Sequence, residues 1–119
     1  MNATELYQKT MVTTQNKEHL VIMLYEGAIN FLKQAVIAIR TRDYAKKGSL
    51  LAKAQDIILE LNVVLDTEAG GQLAINLRQL YNYMWNRLRV ANNKCDPEIV
   101  REVIKLLEEL NKGWTSIEA

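Results

Sequence analysis

The chain has 119 residues, 49% of them hydrophobic and 24% charged, and 15 basic against 14 acidic residues give a formal net charge of +1. A chain of this length buries roughly two thirds of its unfolded surface, which predicts one soluble domain that folds without a metal or disulfide staple. Near-neutral charge argues against sequence-blind nucleic-acid binding and docking on anionic membranes. One histidine and one cysteine cannot fill an ordinary zinc site unless carboxylates contribute.

Proline occurs once and glycine five times, too little punctuation for many short strands, so the chain reads as all-helical. Residues 1–15 form a polar segment carrying Leu6, Tyr7, Met11 and Val12, expected as an irregular arm. Asn16 can cap a first helix that runs to about Thr41, with Glu18 near the positive end of its dipole. Asp43 can cap a second helix to about Leu65. Gly70-Gly71 lies in the connection to a third. Asp96-Pro97-Glu98 sets a cap, a first-turn proline and a first-turn carboxylate in their preferred order, so a fourth helix begins at Pro97. Short connections between long helices favour antiparallel neighbours, hence an up-and-down four-helix bundle over residues 16–119.

Helix 2 carries apolar rows at Leu51, Ala54, Ile58, Leu61 and Leu65 and at Leu50, Ile57 and Val64. Helix 3 carries Leu73, Leu77, Leu80, Met84 and Ala91 beside Ala74, Tyr81 and Leu88. Each set spans about 100° of its helix, as bundle packing requires. Helix 1 has four apolar rows, set by Val21, Tyr25, Ile22 and Leu24 and repeating every seven residues, which together cover about 160°. Helix 4 adds Ile99 and Leu106 outside its main row of Val100, Val103, Leu107, Leu110 and Trp114. These wide faces predict apolar surface that something else covers.

Leu20 to Ile39 is long enough to span a membrane, but Glu26 and Lys33 would each cost about 2.5 to 3.5 kcal/mol there, so membrane insertion is not expected. Arg40, Arg42, Lys46 and Lys47 cluster around Asp43, either as a solvated loop or as a docking site for acidic groups. Trp85 and Tyr83 are incidental surface aromatics or anchors. Cys95 is expected as a loop residue. Without a phosphate loop, a His-x-x-x-His or Cys-x-x-Cys spacing or a Glu-x-x-His motif, the sequence predicts neither an enzyme nor a cofactor.

Several stretches occur in a specific order: Tyr7-Gln8-Lys9-Thr10, Met23-Leu24-Tyr25-Glu26-Gly27-Ala28-Ile29, Lys53-Ala54-Gln55-Asp56-Ile57-Ile58, Leu80-Tyr81-Asn82-Tyr83-Met84 and Asp96-Pro97-Glu98-Ile99. In that order the chain resembles the flagellar export chaperone FliS family from about Tyr7 to Trp114. Asn16-Lys17 stands where the family often has Ser-Pro, and Trp85 stands at a position that is commonly polar.

The resemblance implies a cytoplasmic bacterial chaperone that holds the C-terminal segment of flagellin, prevents premature polymerisation and presents it to the flagellar export gate. It also implies an arm that folds over part of the client groove, giving Leu6 and Tyr7 a role as a displaceable cap. The residues themselves add the expected contacts. Ile22, Ile29, Ile99 and Leu106 offer apolar surface, while Gln55, Asn76 and Tyr83 bond the client backbone. Tyr25 is expected in the core, and Gly27 at a close helix approach. An arm-exchanged homodimer is the alternative to a free monomer, and an adaptor bundle without an export role is the alternative function.

Overall fold

The structure, a computed structural model, describes residues 17–68 and 70–118. It contains four helices, α1 (Lys17–Arg40), α2 (Tyr44–Glu68), α3 (Gly71–Lys94) and α4 (Pro97–Glu118). Each helix packs on its sequence neighbours, and α4 closes the ring on α1, which makes the antiparallel up-and-down bundle that the periodicity predicts. The arm residues, including Leu6 and Tyr7, and the expected cap Asn16 lie outside the described residues.

The helix boundaries follow local chemistry. α1 stops where Arg42 takes a positive φ of 61° and the Asp43 N–H turns back to the Ala38 carbonyl at 2.9 Å. Asp43 then caps α2, its carboxylate accepting the Lys46 N–H at 3.2 Å. α2 runs to Glu68, three residues past Leu65, because nothing between them breaks a helix. Gly71 takes a φ of +67°, a conformation that costs a glycine nothing, and α3 starts there without a side-chain cap. At the other end Cys95 is left-handed at φ 53°, and the Asp96 carboxylate accepts the Glu98 N–H at 2.9 Å to start α4. Asp96→Ala removes that cap and is expected to cost about 1 kcal/mol. A calorimetric melting point should fall by about 3 to 6 °C, and an unchanged one would mean that Pro97 alone sets the helix start.

The core is one cluster built from the central rows of all four helices. Tyr25, Leu32, Leu51, Ile58, Met84, Leu88, Val100, Val103 and Leu107 are fully enclosed. Three expectations change in the assembled bundle. The row of Ile22, Ile29 and Val36 is buried, so α1's apolar excess does not lie there, and Ile99 is buried as well. Leu73, expected in the core, is exposed. Lys47, expected in a solvated cluster, is only 7% exposed, and its ammonium donates to the Asn92 carbonyl at 3.0 Å and to Cys95 Sγ at 3.3 Å. That pair of bonds ties the first turn of α2 to the last turn of α3. Cys95 is thus a half-buried cap residue as well as a loop residue.

Gly27 is not forced by a close approach either. A Cβ there would meet only Ile57 Cδ1, at the ordinary packing distance of 3.4 Å. By length and composition α1 could cross a membrane, yet its Val21, Tyr25, Ala28 and Leu32 side packs into the bundle core.

Candidate client-binding surface

Six large apolar side chains are 44 to 61% exposed at one end of the bundle: Leu20 and Met23 on α1, Leu59 and Val63 on α2, Leu73 and Ile75 on α3. They lie in the half of the bundle where α1 starts, α2 ends and α3 starts, with Leu59 just past the middle of α2. At 100° per residue, Leu59 and Val63 share one face of α2, as do Leu20 and Met23 on α1. Leu73 and Ile75 sit on nearly opposite sides of α3. The apolar groups therefore ring this end instead of lining one groove. Exposed apolar side chains on three helices in one half of the bundle make it the candidate surface for a partner.

The same end opens inward. A small apolar hollow of about 30 Å³ lies among Val21, Leu61, Val64, Leu65, Tyr81 and Trp114, with Lys17 and Glu18 at its mouth. Below it, the Tyr25 and Tyr81 hydroxyls are hydrogen-bonded at 2.6 Å across the diagonal of the bundle. Burial pushes the Tyr25 phenol above its ordinary 10, with hydrogen bonds from Tyr81 and Trp114 partly opposing the rise. Tyr81 is raised further, by burial first and then by its neighbour Tyr25.

That pair makes the bundle alkali-sensitive. The folded protein keeps two phenolic protons over a pH range in which the unfolded chain, titrating near 10.0, has lost them. Stability is therefore full below pH 10 and falls above it, by up to about 1.4 kcal/mol per pH unit for each tyrosine. Urea midpoints measured at pH 9, 10 and 11 should drop more steeply for the wild type than for the Tyr25→Phe, Tyr81→Phe double variant. Parallel slopes would mean that the pair has no part in the alkaline loss.

A second opening lies between α1 and α4. It has a volume of about 450 Å³, Ile29 on its floor and Glu26, Lys33, Glu108 and Lys112 on its rim. Lys33 and Glu108 face each other across it at 3.7 Å. Asn111, also in its wall, has a buried Oδ1 with no hydrogen-bond partner among the described residues.

The polar residues expected to bond a client are in part already engaged. Gln55 donates to the Trp85 carbonyl at 3.1 Å, fixing α2 against α3. Asn76 accepts from Gln72 one turn away at 2.9 Å and is exposed. Tyr83 is exposed and donates to Glu102 at 3.1 Å, and that carboxylate raises its phenol. Arg87 reaches the same carboxylate at 2.9 Å, so Tyr83, Arg87 and Glu102 bridge α3 to α4. Leu106 is half-buried and Ile22 is buried outside the contiguous core. The structure thus spreads the expected set over the bundle and collects a different one, Leu20, Met23, Leu59, Val63 and Ile75, that sequence reading missed. Their signal was present: each is a large apolar residue out of phase with its own helix's core rows.

Among the described residues no group of three or more His, Cys, Asp or Glu is placed to hold a metal ion. His19 and Cys95 stand at opposite ends of the bundle, since α1 begins at the end where α3 starts and Cys95 follows the end where α3 stops. Among the described residues the arrangement is a four-helix bundle with exposed apolar side chains in one half, a candidate protein-binding surface.

The family described as flagellar protein FliS matches residues 1–119, and the chain belongs to that family. It is 39% identical to the flagellar secretion chaperone FliSB of Pseudomonas aeruginosa, covering 98% of this chain and 96% of that protein. It is 38% identical to the flagellar secretion chaperone FliS of Vibrio cholerae, over 95% of this chain and 86% of that one. With the FliS of Bacillus subtilis it shares 34%, over 95% and 84%.

Proposed function

We propose that this chain is a cytoplasmic flagellar export chaperone that holds the C-terminal segment of flagellin, keeps it from polymerising and brings it to the export gate. Its relatives are named as secretion chaperones, and the apolar ring supplies the physical means. A flagellin terminus is apolar on one side and has no partner before the filament, so it cannot order itself alone. Leu20, Met23, Leu59, Val63, Leu73 and Ile75 offer that side a temporary partner on three helices, which a wrapped client can reach at once. Coupled folding of such a segment buries on the order of 1,000 to 3,000 Å² and spends roughly 2 to 5 kcal/mol on ordering.

The cleft over Ile29 extends this surface along α1 and α4. Leu106, Asn76 and Tyr83 border the α3 and α4 side, while Ile22, Ile99 and Gln55 act from behind the surface by holding their helices in place. Residues 16–119 form the client-holding unit and residues 1–15 its cap, with Leu6 and Tyr7 as the apolar groups that compete for the surface.

The exposed apolar end carries this reading. The test is size-exclusion chromatography of the protein mixed with flagellin, where a soluble one-to-one complex is expected. Flagellin that elutes unbound or polymerises unhindered would leave only an adaptor role. Deleting residues 1–15 should tighten binding of a flagellin C-terminal peptide in calorimetry, and unchanged or weaker binding would reject the cap.

A further inference from the structure

The end opposite the apolar ring is basic. There the last turn of α1, the α1–α2 link, the first turn of α2 and the last turn of α3 expose Arg40, Arg42, Lys46 and Lys94. None of these four makes an ion pair among the described residues. The nearby carboxylates lie at the surface among these cations, each with a partner within the chain. Asp43 caps α2, Asp96 caps α4, and Glu98 pairs with Arg101. α3 itself carries four basic residues and no acidic one.

Helix dipoles do not account for the pattern. Cations at the C-termini of α1 and α3 suit the local field, but Lys46 and Lys47 sit in the first turn of α2, where positive charge is unfavourable. Two exposed apolar residues accompany the charges, Tyr44 and Ile37. Beside Ile37 and Lys46 a shallow cleft of about 120 Å³ opens, reaching Gln34 and Thr41, with Asp43 also in its wall. The buried Lys47 bonds hold α2 against α3, so the groups are presented on a fixed frame.

We propose that this end is a second docking site, for an acidic and partly apolar segment of a partner protein, used while the client occupies the far end. Four cations with two apolar neighbours match a peptide that carries carboxylates between apolar side chains. Nucleic acid or an anionic membrane would call for a broader positive field than a chain of net charge +1 supplies. The basic end acts in the same way whichever client the far end holds.

The test uses the full chain and a short labelled helical peptide of Glu, Leu and Ala, read by fluorescence anisotropy beside the same peptide with Lys for Glu. The acidic peptide should bind and the basic one should not. Arg40→Gln, Arg42→Gln and Lys46→Gln together should weaken binding about tenfold or more and flatten its salt dependence. Binding of the flagellin segment by the same variant should be unchanged. Should the triple variant lose its helical circular dichroism, Arg42→Gln and Lys46→Gln singly should each show part of the same loss. Equal binding by wild type and variants, no binding of the acidic peptide, or tighter binding of an oligonucleotide or of phosphatidylserine vesicles would overturn the proposal.

Discussion

Replacing Met23 and Val63 together with aspartate should reduce affinity for the flagellin C-terminal segment by a hundredfold or more and leave the bundle folded. Both side chains are more than half exposed, on different helices at the same end. Full burial of a side chain of this size is worth about 1.5 to 3 kcal/mol, so the part still exposed offers a client about half of that. Removing both apolar anchors and setting two carboxylates against an apolar client costs about 3 kcal/mol or more, and 2.7 kcal/mol is already about a hundredfold. The free protein loses little, since surface substitutions away from special features usually stay within about 0.5 kcal/mol each. Calorimetric titration beside a thermal melt reads both quantities. Full affinity in a folded double variant would move the client to another face.

The largest effect on stability is expected at Tyr25. Its ring is fully enclosed, 6.4 Å from the Tyr81 ring, and its hydroxyl is the partner of Tyr81 at 2.6 Å. Tyr25→Ala opens a cavity inside the bundle and leaves the Tyr81 hydroxyl buried without that bond. Truncating a large core aromatic costs about 3 to 5 kcal/mol, and an orphaned hydroxyl adds about 1 to 3. Since small domains hold only about 5 to 15 kcal/mol in all, the variant should melt near or below growth temperature. Tyr25→Phe separates the two contributions, keeping the ring and losing the hydrogen bond. Denaturation midpoints should rank wild type above phenylalanine above alanine. Equal midpoints for wild type and alanine would mean that the site collapses without cost.

Much of the fold was legible because helical periodicity and caps act locally. Asp43 and Asp96 cap where their sequence positions predict, and the rows through Leu51, Ile58, Met84 and Leu88 are core. What the sequence could not show is how far neighbours cover a given azimuth. The wide face through Ile22 and Ile29 looks surplus on a single helix, and only the assembled bundle reveals it as covered. Lys47 is the sharpest case. A lysine in a basic run reads as solvated, and its burial depends on a carbonyl and a thiol 45 and 48 residues away. Gln55 shows the same limit, for an amide suited to a client backbone is used instead on α3. Trp85 packs against the core cluster and keeps a buried indole N–H with no partner among the described residues. Family resemblance supplied the client and the setting, while periodicity and composition alone ended at a protein-binding bundle.

The most direct measurement is hydroxyl-radical footprinting of side chains in the free protein and in the complex with the flagellin C-terminal segment. With residues 1–15 deleted to remove the cap, Leu20, Met23, Leu59, Val63, Leu73 and Ile75 should react readily when free and be protected together when the client is bound, while Tyr44 at the basic end keeps its reactivity. Saturating client with the six side chains as reactive as before would contradict a client held on the apolar ring.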